Sequence, residues 1–207
     1  LGSRESYDGW LEFLRDLVHR GLPVPLTITS DGAPGLLRAV DEIWPRSLRI
    51  RCWVHRMRNF KAKVPDHMWP EVKAHLEAIR DAPTYEAGEA TVADVLTRFA
   101  KELPSLCALL SEDLEALLNH QRLPWRHRKH VRTTNLIERS FVEERRLTKT
   151  LPRFFTEKSC PKLVHATLIR AAQSWQRVGI TVTERAQLNA LYETLEITPS
   201  NEMSAVA

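Results

Sequence analysis

Hydrophobic and polar positions change their spacing several times in the first quarter of the chain. Apolar residues recur at helical spacing over Tyr7–Arg20, which predicts an amphipathic helix. The β-rich run Leu26–Thr29 ends at Ser30-Asp31-Gly32, a helix is expected over Pro34–Ile43, and Leu48–Cys52 alternates apolar and basic residues as a strand does. The pattern therefore predicts a helix followed by a strand–helix–strand unit with a right-handed crossover.

Beyond Cys52 the apolar spacing stays helical, beginning with a basic helix over His55–Lys63. Three amphipathic helices follow, at Met68–Ala82, Tyr85–Leu103 and Leu106–Leu118. They form an all-helical insertion at residues 66–122, which Pro124 and Trp125 are expected to close. Three more helices are predicted after it, at Asn135–Leu147, Leu163–Trp175 and Glu184–Leu195, with a loop at Pro152–Pro161.

Charge adds a second pattern because it is unevenly distributed. The net charge of the 207 residues is only +4, yet residues 49–63 carry six Lys or Arg and no acid. Residues 120–153 carry ten Lys or Arg against three Glu. Clustered cations indicate a polyanionic partner, and the alternative is a solvated, salt-bridged surface.

Other compositional signals narrow the class of protein. The three cysteines are odd in number and far apart, so they do not suggest a disulfide framework, and a reducing cytoplasm is expected. No apolar run approaches the roughly 18 residues that a membrane-spanning helix needs, so no membrane partner is expected. The first residues lack the basic-then-apolar pattern of a signal peptide.

Two acidic residues occupy positions where a metal site could form. Asp31 follows a predicted strand, and the carboxyl ends of strands are where open α/β sheets bind ligands. A carboxylate there suits a hard divalent cation, although Asp-Gly by itself also favours an Asx turn. Glu138 lies early in a basic helix, where the alternative is a capping box that reaches back to Asn135. The residues alone leave both alternatives open.

A Cys-x-x-His pair, Cys52 and His55 around Trp53, follows the second predicted strand. As a zinc half-site the pair is weak, since a structural zinc needs about four ligands and no second pair is evident. A packed cysteine and a hydrogen-bonded histidine that brace a neighbouring site are the favoured interpretation. No glycine-rich phosphate loop supports nucleotide hydrolysis, and no oxyanion site supports Cys–His nucleophilic catalysis.

Three stretches, in this order, carry a family resemblance. They are Ser30–Leu36, Arg51–Asn59 and Arg132–Arg139. Together with the helical segment between the second and third, they resemble the Mutator-like bacterial transposases typified by insertion sequence 256. The resemblance extends from Leu1 to about Leu195.

The resemblance implies an α/β chain with a partial RNase H-like fold, its first strands missing, and an all-helical insertion. Asp31 and Glu138 would be the second and third acids of an Asp-Asp-Glu triad that binds two Mg²⁺ (or Mn²⁺) ions, with no zinc expected. Cys52, Trp53 and His55 would be the signature residues beside that site. The partners would be double-stranded DNA, as transposon ends and target, and a second copy in a homodimer. The location would be the bacterial cytoplasm, at the nucleoid.

Further residues are expected to contact DNA. They are Arg56, Arg58, Arg132, Asn135, Arg139, Arg145, Arg146 and Lys149. The expected organisation has four segments: 1–65, an RNase H-like strand–helix–strand part with its preceding helix; 66–122, the insertion; 123–176, the Glu-bearing and C-terminal core helices; and 177–207, a final helix and tail.

One feature departs from the family pattern. The family places its first Asp on an early strand upstream of the Trp10 helix, whereas Asp8 and Asp16 fall in or at that helix. The chain is therefore expected to be truncated and inactive by itself. Two alternatives remain: a non-catalytic DNA-binding remnant, and an RNase H-like nuclease that acts on RNA–DNA hybrids.

Overall fold

The computed structural model describes residues 6–149, 159–175 and 179–199. Helix α1 (Tyr7–His19) begins where the Ser6 hydroxyl accepts a hydrogen bond from the Gly9 N–H at 3.3 Å. It ends just before Gly21, whose φ of +89° lets the chain turn away from the helix. Its bounds confirm the first predicted helix to within one residue.

The predicted strand–helix–strand unit is confirmed as a pair of parallel strands. Strand β1 (Thr27–Ser30) leads through α2 (Pro34–Ile43) to β2 (Leu48–Arg51). In the parallel register Thr27 lies opposite Leu48 and Ser30 opposite Arg51. The two strands therefore end side by side, and the residues that follow them meet at one edge of the sheet.

The apolar faces of α1 and α2 pack together as one core. Leu11 and Leu14 of α1 are buried against Ala39 and Val40 of α2, and Trp44 closes the cluster. These positions repeat at the three- and four-residue spacing of a helix face, which is why the sequence pattern predicted both helices. This core fixes α2 behind the strands.

A continuous helical segment follows β2. It comprises α3 (Trp53–Lys61), α4 (Trp69–Arg80), α5 (Tyr85–Phe99), α6 (Pro104–Glu112), α7 (Leu114–Leu118), a 3₁₀ turn (Asn119–Arg122) and α8 (Trp125–Val131). Phe60, Leu76, Phe99, Leu110 and Leu118, all at most 1% exposed, lie at the centre of its core. Because Trp53 belongs to the same core, the helical segment packs directly against the end of β2.

Two helix predictions in this segment are wrong. Leu106–Leu118 was expected to be one helix, but the chain bends at Asp113 (φ −132°, ψ 36°) and forms two. Helix α8 was not predicted, because Pro124 and Trp125 were expected to close the insertion. Within this fully described stretch none of the seven residues of α8 is buried, so no apolar periodicity revealed it.

The remaining helices are α9 (Asn135–Thr148), α10 (Ser159–Trp175) and α11 (Val182–Thr194). Helix α11 starts two residues before its predicted position, because Thr181 and Glu184 form a capping box. The Thr181 N–H donates to Glu184 Oε2 at 2.8 Å, and the Glu184 N–H donates to Thr181 Oγ1 at 3.3 Å. Most of the predicted loop at Pro152–Pro161 lies outside the described residues, and its last three residues already belong to α10.

The chain divides into two compact units. The first unit consists of the chain up to Thr133 together with the chain from Ala186 onward. The second unit spans Thr134–Arg185. In the first unit Leu188 of α11 packs with Ile50 and Leu123. The two units do not coincide with the four segments expected from the sequence, which stay a prediction. Within the described ranges no helix combines the length and the apolar character that a bilayer crossing requires.

Candidate active site

The paired strand ends bring two of the predicted site residues together. Ser30 and Arg51 are opposite each other in the parallel register, and the Cys52 N–H donates to the Ser30 carbonyl at 2.8 Å. Asp31 and Cys52 are the next residues along each strand. The geometry therefore confirms that both lie at the carboxyl edge of the sheet, where α/β proteins bind ligands.

Asp31 is exposed and forms the turn that its Asp-Gly dipeptide favours. Its Oδ1 accepts a hydrogen bond from the Ala33 N–H at 3.2 Å, which is an Asx turn. Among the described residues, no other hydrogen bond or ion pair reaches this carboxylate. Helix α2 begins three residues later, so its N-terminal end favours a negative charge here.

Gly32 and Arg51 form a close contact beside Asp31. Gly32 has a φ of +93°, and a Cβ atom placed on it would overlap the guanidinium of Arg51. That guanidinium lies 3.3 Å from Asp113 Oδ2, and Nε of Arg51 is buried without a partner among the described residues. Arg51 thereby connects the loop after β1 with the bend between α6 and α7.

The two residues of the Cys-x-x-His pair contact each other just after the end of β2. Cys52 is fully buried at the start of α3, and its Sγ lies 3.3 Å from Nδ1 of His55. A thiol that donates to Nδ1 leaves the ring proton on Nε2, the nitrogen that points away from the cysteine. The predicted pairing of a packed cysteine with a hydrogen-bonded histidine agrees with this geometry.

Trp53 fastens the helical segment to the strand ends. Its indole Nε1 donates to the Leu117 carbonyl at 3.0 Å, and its backbone N–H donates to the Arg132 carbonyl at 2.9 Å. One residue earlier, the Val131 carbonyl accepts a hydrogen bond from the Thr29 hydroxyl at 2.5 Å. Residues 131–132 are therefore held across the ends of β1 and β2.

His120 is buried in the same region, with its ring 6.1 Å from that of Trp53. Nδ1 lies 3.0 Å from the Leu117 carbonyl, and Nε2 lies 2.9 Å from the Arg80 carbonyl. Burial lowers the pKa of His120 to about 4, although both carbonyls oppose the change. The neutral ring can donate to only one of the two carbonyls.

Glu138 lies in the other compact unit, on the first turn of α9. Its Oε1 accepts a hydrogen bond from the Thr134 hydroxyl at 2.7 Å, and its N–H donates to the Thr134 carbonyl at 3.1 Å. Helix α9 begins at Asn135, so Glu138 bonds to Thr134, the residue before the helix, whereas the capping-box alternative expected a contact with Asn135. Asp31 and Glu138 occupy separate compact units.

The described residues contain no cluster of three or more His, Cys, Asp or Glu side chains arranged to hold a metal ion. Asp31 and Glu138 offer carboxylate oxygens, the ligands that Mg²⁺ and Mn²⁺ prefer. Cys52 is 0% exposed and contacts His55 within the fold.

The position of Arg56 does not fit its predicted contact with DNA. Only 2% of Arg56 is exposed. Its guanidinium donates to the Leu109 carbonyl and lies 3.2 Å from Glu112 Oε2. Because it faces the interior between α3 and α6, it stabilises the helical segment and is not accessible for the predicted DNA contact.

The other predicted DNA-binding residues differ in exposure. Arg132 is 24% exposed and pairs with Asp81 at 2.5 Å. Hydrogen bonds from Arg80 and then Arg132 hold the pKa of Asp81 below its usual range. Asn135 is half-buried, and the remaining cations are exposed: Arg58, Arg139, Arg145, Arg146 and Lys149.

Sequence reasoning missed several residues that the tertiary structure places at or near this edge. Arg51 was noted only within a motif, and Asp113 was assigned to a continuous helix. The alternation of apolar and basic residues in β2 signalled that Arg51 faces away from Ile50. No local pattern signalled that Asp113 meets Arg51, since the two are far apart in the chain.

Comparison with known proteins decides the family. The model of the "Transposase, Mutator family" matches residues 1–178. The chain belongs to the Mutator family of transposases. The resemblance carried by Ser30–Leu36, Arg51–Asn59 and Arg132–Arg139 is thereby confirmed.

Curated transposases of insertion sequence elements are similar to most of this chain. The transposase for insertion sequence element IST2 of Acidithiobacillus ferrooxidans is 34% identical over 202 residues, which cover 97% of this chain and 68% of that protein. The transposases for IS6120 of Mycolicibacterium smegmatis and ISRM5 of Rhizobium meliloti are each 31% identical over 86% of this chain. The chain spans 55% and 45% of those two proteins, about half their length.

Proposed function

We propose that this chain forms part of an insertion-sequence transposase that cuts transposon ends and joins them to target DNA. The observation that carries the proposal is the position of Asp31, exposed at the carboxyl edge of two parallel strands with the Cys52–His55 pair directly beside it. A strand-end carboxylate in a Mutator-family chain is where a metal-dependent phosphoryl-transfer site is expected.

Asp31 and Glu138 are the proposed ligands of two Mg²⁺ (or Mn²⁺) ions. Their carboxylates suit hard cations, and the Asx turn occupies only one oxygen of Asp31 among the described residues. Bound ions of this kind activate the attacking water or 3′-hydroxyl and stabilise the leaving oxygen of an in-line displacement.

The remaining residues position the carboxylates and the DNA. Arg51 packs against Gly32 and holds the loop that carries Asp31, while Cys52 orients His55 through Nδ1. We propose that Arg58 and the exposed cations of α9 contact phosphates, as cations do in DNA complexes. A homodimer would hold two transposon ends at once.

An RNase H-like fold is part of the same proposal. Among the described residues β1 pairs with β2 alone, and Asp8 and Asp16 lie in α1. In an RNase H-like sheet another strand would pair with β1 and carry the first acid of the triad. We therefore propose that these 207 residues supply two of the three acids and do not transpose unaided.

Titration with Mn²⁺ by calorimetry tests the proposed ligands. The wild-type chain should bind weakly, and both Asp31→Asn and Glu138→Gln should abolish that binding. Glu12→Gln, which changes an exposed carboxylate on α1, is the matched control and should bind as the wild type does. Unchanged binding in Asp31→Asn would favour a DNA-binding remnant in which Asp31 only forms a turn.

A cleavage assay tests the chemistry. The isolated chain, incubated with Mg²⁺ or Mn²⁺ and labelled duplex carrying a cognate transposon end, should leave the duplex intact. Strand cutting that disappears in Asp31→Ala would show that two acids suffice and would contradict the need for the first acid of the triad. Cutting of an RNA–DNA hybrid in preference to duplex DNA would favour an RNase H-like nuclease.

A further inference from the structure

Helix α8 forms an exposed, basic and aromatic surface for which the family sequence motifs give no explanation. Its sequence, Trp125 to Val131, contains two arginines, one lysine and two histidines, and no acid. Trp125 is 61% exposed, the second most exposed large hydrophobic side chain among the described residues. A large aromatic side chain left in solvent beside clustered cations indicates a binding surface.

The arginine under this tryptophan is rigidly held. Arg128 donates from Nε to the Leu123 carbonyl at 2.9 Å, and from Nη1 to the Pro83 carbonyl at 2.9 Å and the Ala82 carbonyl at 3.2 Å. The Ala82 and Pro83 carbonyls lie just beyond the C-terminal end of α4, where a cation is favourable. Arg128 therefore has a structural role and a fixed position.

Trp125 rests on that fixed cation. The guanidinium carbon of Arg128 lies 5.2 Å from the centre of the Trp125 ring, a cation–π contact. The contact supports the ring from below while more than half of the side chain stays in solvent. The indole is thus held in place before any ligand arrives, which lowers the entropy cost of stacking on it.

The charges around the ring favour an anionic ligand. Lys129 is exposed, and no acidic side chain of the described residues pairs with it. A second cation–aromatic contact precedes α8 in the chain, where the guanidinium of Arg122 lies 4.1 Å from the centre of the Tyr85 ring. A phosphate backbone with attached bases combines negative charge with flat rings, which is the chemistry that such a surface recognises.

We infer that Trp125 is a stacking platform for an unpaired base of a DNA strand, with Lys129 contacting the adjacent phosphate. The ligand is unpaired DNA because duplex bases already stack on each other and do not offer an open face. This inference rests on the proposed transposase function, since a strand-cutting and strand-joining reaction exposes unpaired ends. It adds a binding site, in the first compact unit, to the residues assigned above.

Fluorescence anisotropy with labelled oligonucleotides tests the platform. Trp125→Ala should weaken binding of an oligo(dT) single strand by about tenfold, which is about 1.4 kcal/mol, and leave binding of a duplex of equal length within about twofold. Trp125→Phe should keep most of the affinity. Phe13→Ala is the matched control, because Phe13 is 49% exposed on α1, away from the basic helix, and its loss should change neither affinity.

Two further experiments distinguish the contribution of base stacking from that of charge to DNA binding. An oligonucleotide with abasic positions should bind the wild type weakly, and Trp125→Ala should not weaken it further, since the base is already missing. The salt dependence should stay unchanged in Trp125→Ala, whereas Lys129→Ala should reduce the logarithmic slope for single strands by about 0.7. Circular dichroism should show equal melting of all variants, because both side chains are exposed.

Three results would overturn the inference. Equal single-strand affinity in the wild type and Trp125→Ala, with DNA binding intact, would remove the platform and leave the transposase proposal standing. A wild-type chain that binds no DNA would contradict both. If Trp125→Ala instead converts a dimer to a monomer in sedimentation, the surface joins two copies of the chain and is not a DNA site.

Discussion

The indole nitrogen of Trp53 lies 3.0 Å from the carbonyl oxygen of Leu117, 64 residues further along the chain. This hydrogen bond joins the Cys52–His55 pair at the end of β2 to the last α-helix of the segment built by α4 to α7. Through it the helical segment supports the same sheet edge that carries Asp31. The contact explains why the tryptophan stands between the cysteine and the histidine.

Replacing Trp53 should destabilise the first compact unit. Trp53→Phe removes the buried donor and leaves a cavity, and it should lower the free energy of unfolding by about 2–3 kcal/mol. Urea denaturation followed by circular dichroism measures the change. Trp125→Phe makes the same substitution on an exposed side chain and should stay within about 0.5 kcal/mol of wild type. Equal losses in both variants would contradict a special role for the Trp53 contact.

Substitutions at two glycines with positive φ distinguish the cost of backbone strain from the cost of a steric overlap. Gly21 has open space where a Cβ would stand, whereas a Cβ on Gly32 would overlap Arg51. Gly21→Ala should cost about 1–2 kcal/mol from backbone strain alone. Gly32→Ala should cost at least about 1 kcal/mol more because of overpacking. Denaturant titration of both variants measures the difference.

The double variant Gly32→Ala/Arg51→Ala locates the cause of that extra cost. Without the guanidinium, the alanine at position 32 should cost no more than the alanine at position 21. If the two glycine substitutions already cost the same in the wild-type background, Arg51 does not press on the loop. The proposed positioning of Asp31 by Arg51 would then be wrong.

Arg56 and Arg58 should respond in opposite ways to truncation. Arg56→Ala removes a buried guanidinium from the Leu109 carbonyl and Glu112, and it should destabilise the chain by about 2–4 kcal/mol. It should leave the salt dependence of DNA binding unchanged. Arg58→Ala should leave stability within about 0.5 kcal/mol and reduce the logarithmic salt slope for duplex DNA by about 0.9. The reverse pattern would restore Arg56 as a DNA contact.

The lowered pKa of His120 predicts a pH-dependent stability. Because the pKa is about 4 in the folded chain and about 6.5 when unfolded, the unfolded chain binds the extra proton between these values. Stability should therefore be full above about pH 6.5 and fall by about 1.4 kcal/mol per pH unit as pH decreases toward 4. Arg132 and Arg128, the charged groups that face the ring, act in the same direction.

Urea titrations at several pH values between 4 and 7.5 measure this dependence. His120→Gln should be less stable at neutral pH but should lose most of the pH slope in that window. His130→Gln is the control: burial also lowers the pKa of His130, but that side chain is exposed, so the variant should keep most of the wild-type slope. An unchanged slope in His120→Gln would show that another group carries the pH dependence.

Local sequence accounts for the elements and for part of the site. The apolar spacing of α1 and α2, the β-rich run before Asp31 and the alternation in β2 each predicted their element to within about one or two residues. Those patterns suffice because each element buries one face against its immediate neighbours in the chain. The same local order predicted that Asp31 and Cys52 end parallel strands, and the pairing of Ser30 with Arg51 confirms it.

Tertiary structure decided what the cations do and where the helices break. Arg56 and Arg58 are indistinguishable in a basic run, yet one is buried and the other exposed, because a helix directs side chains two residues apart to different faces. Asp113 lies at the bend of a leucine-rich stretch and pairs with Arg51. Arg128 binds the Ala82 and Pro83 carbonyls after α4 and contacts an exposed tryptophan. Local sequence patterns were enough for the family resemblance, the acid at a strand end and most helices. Only the fold could select among chemically equal side chains, since burial and long-range pairing depend on neighbours that local periodicity does not encode.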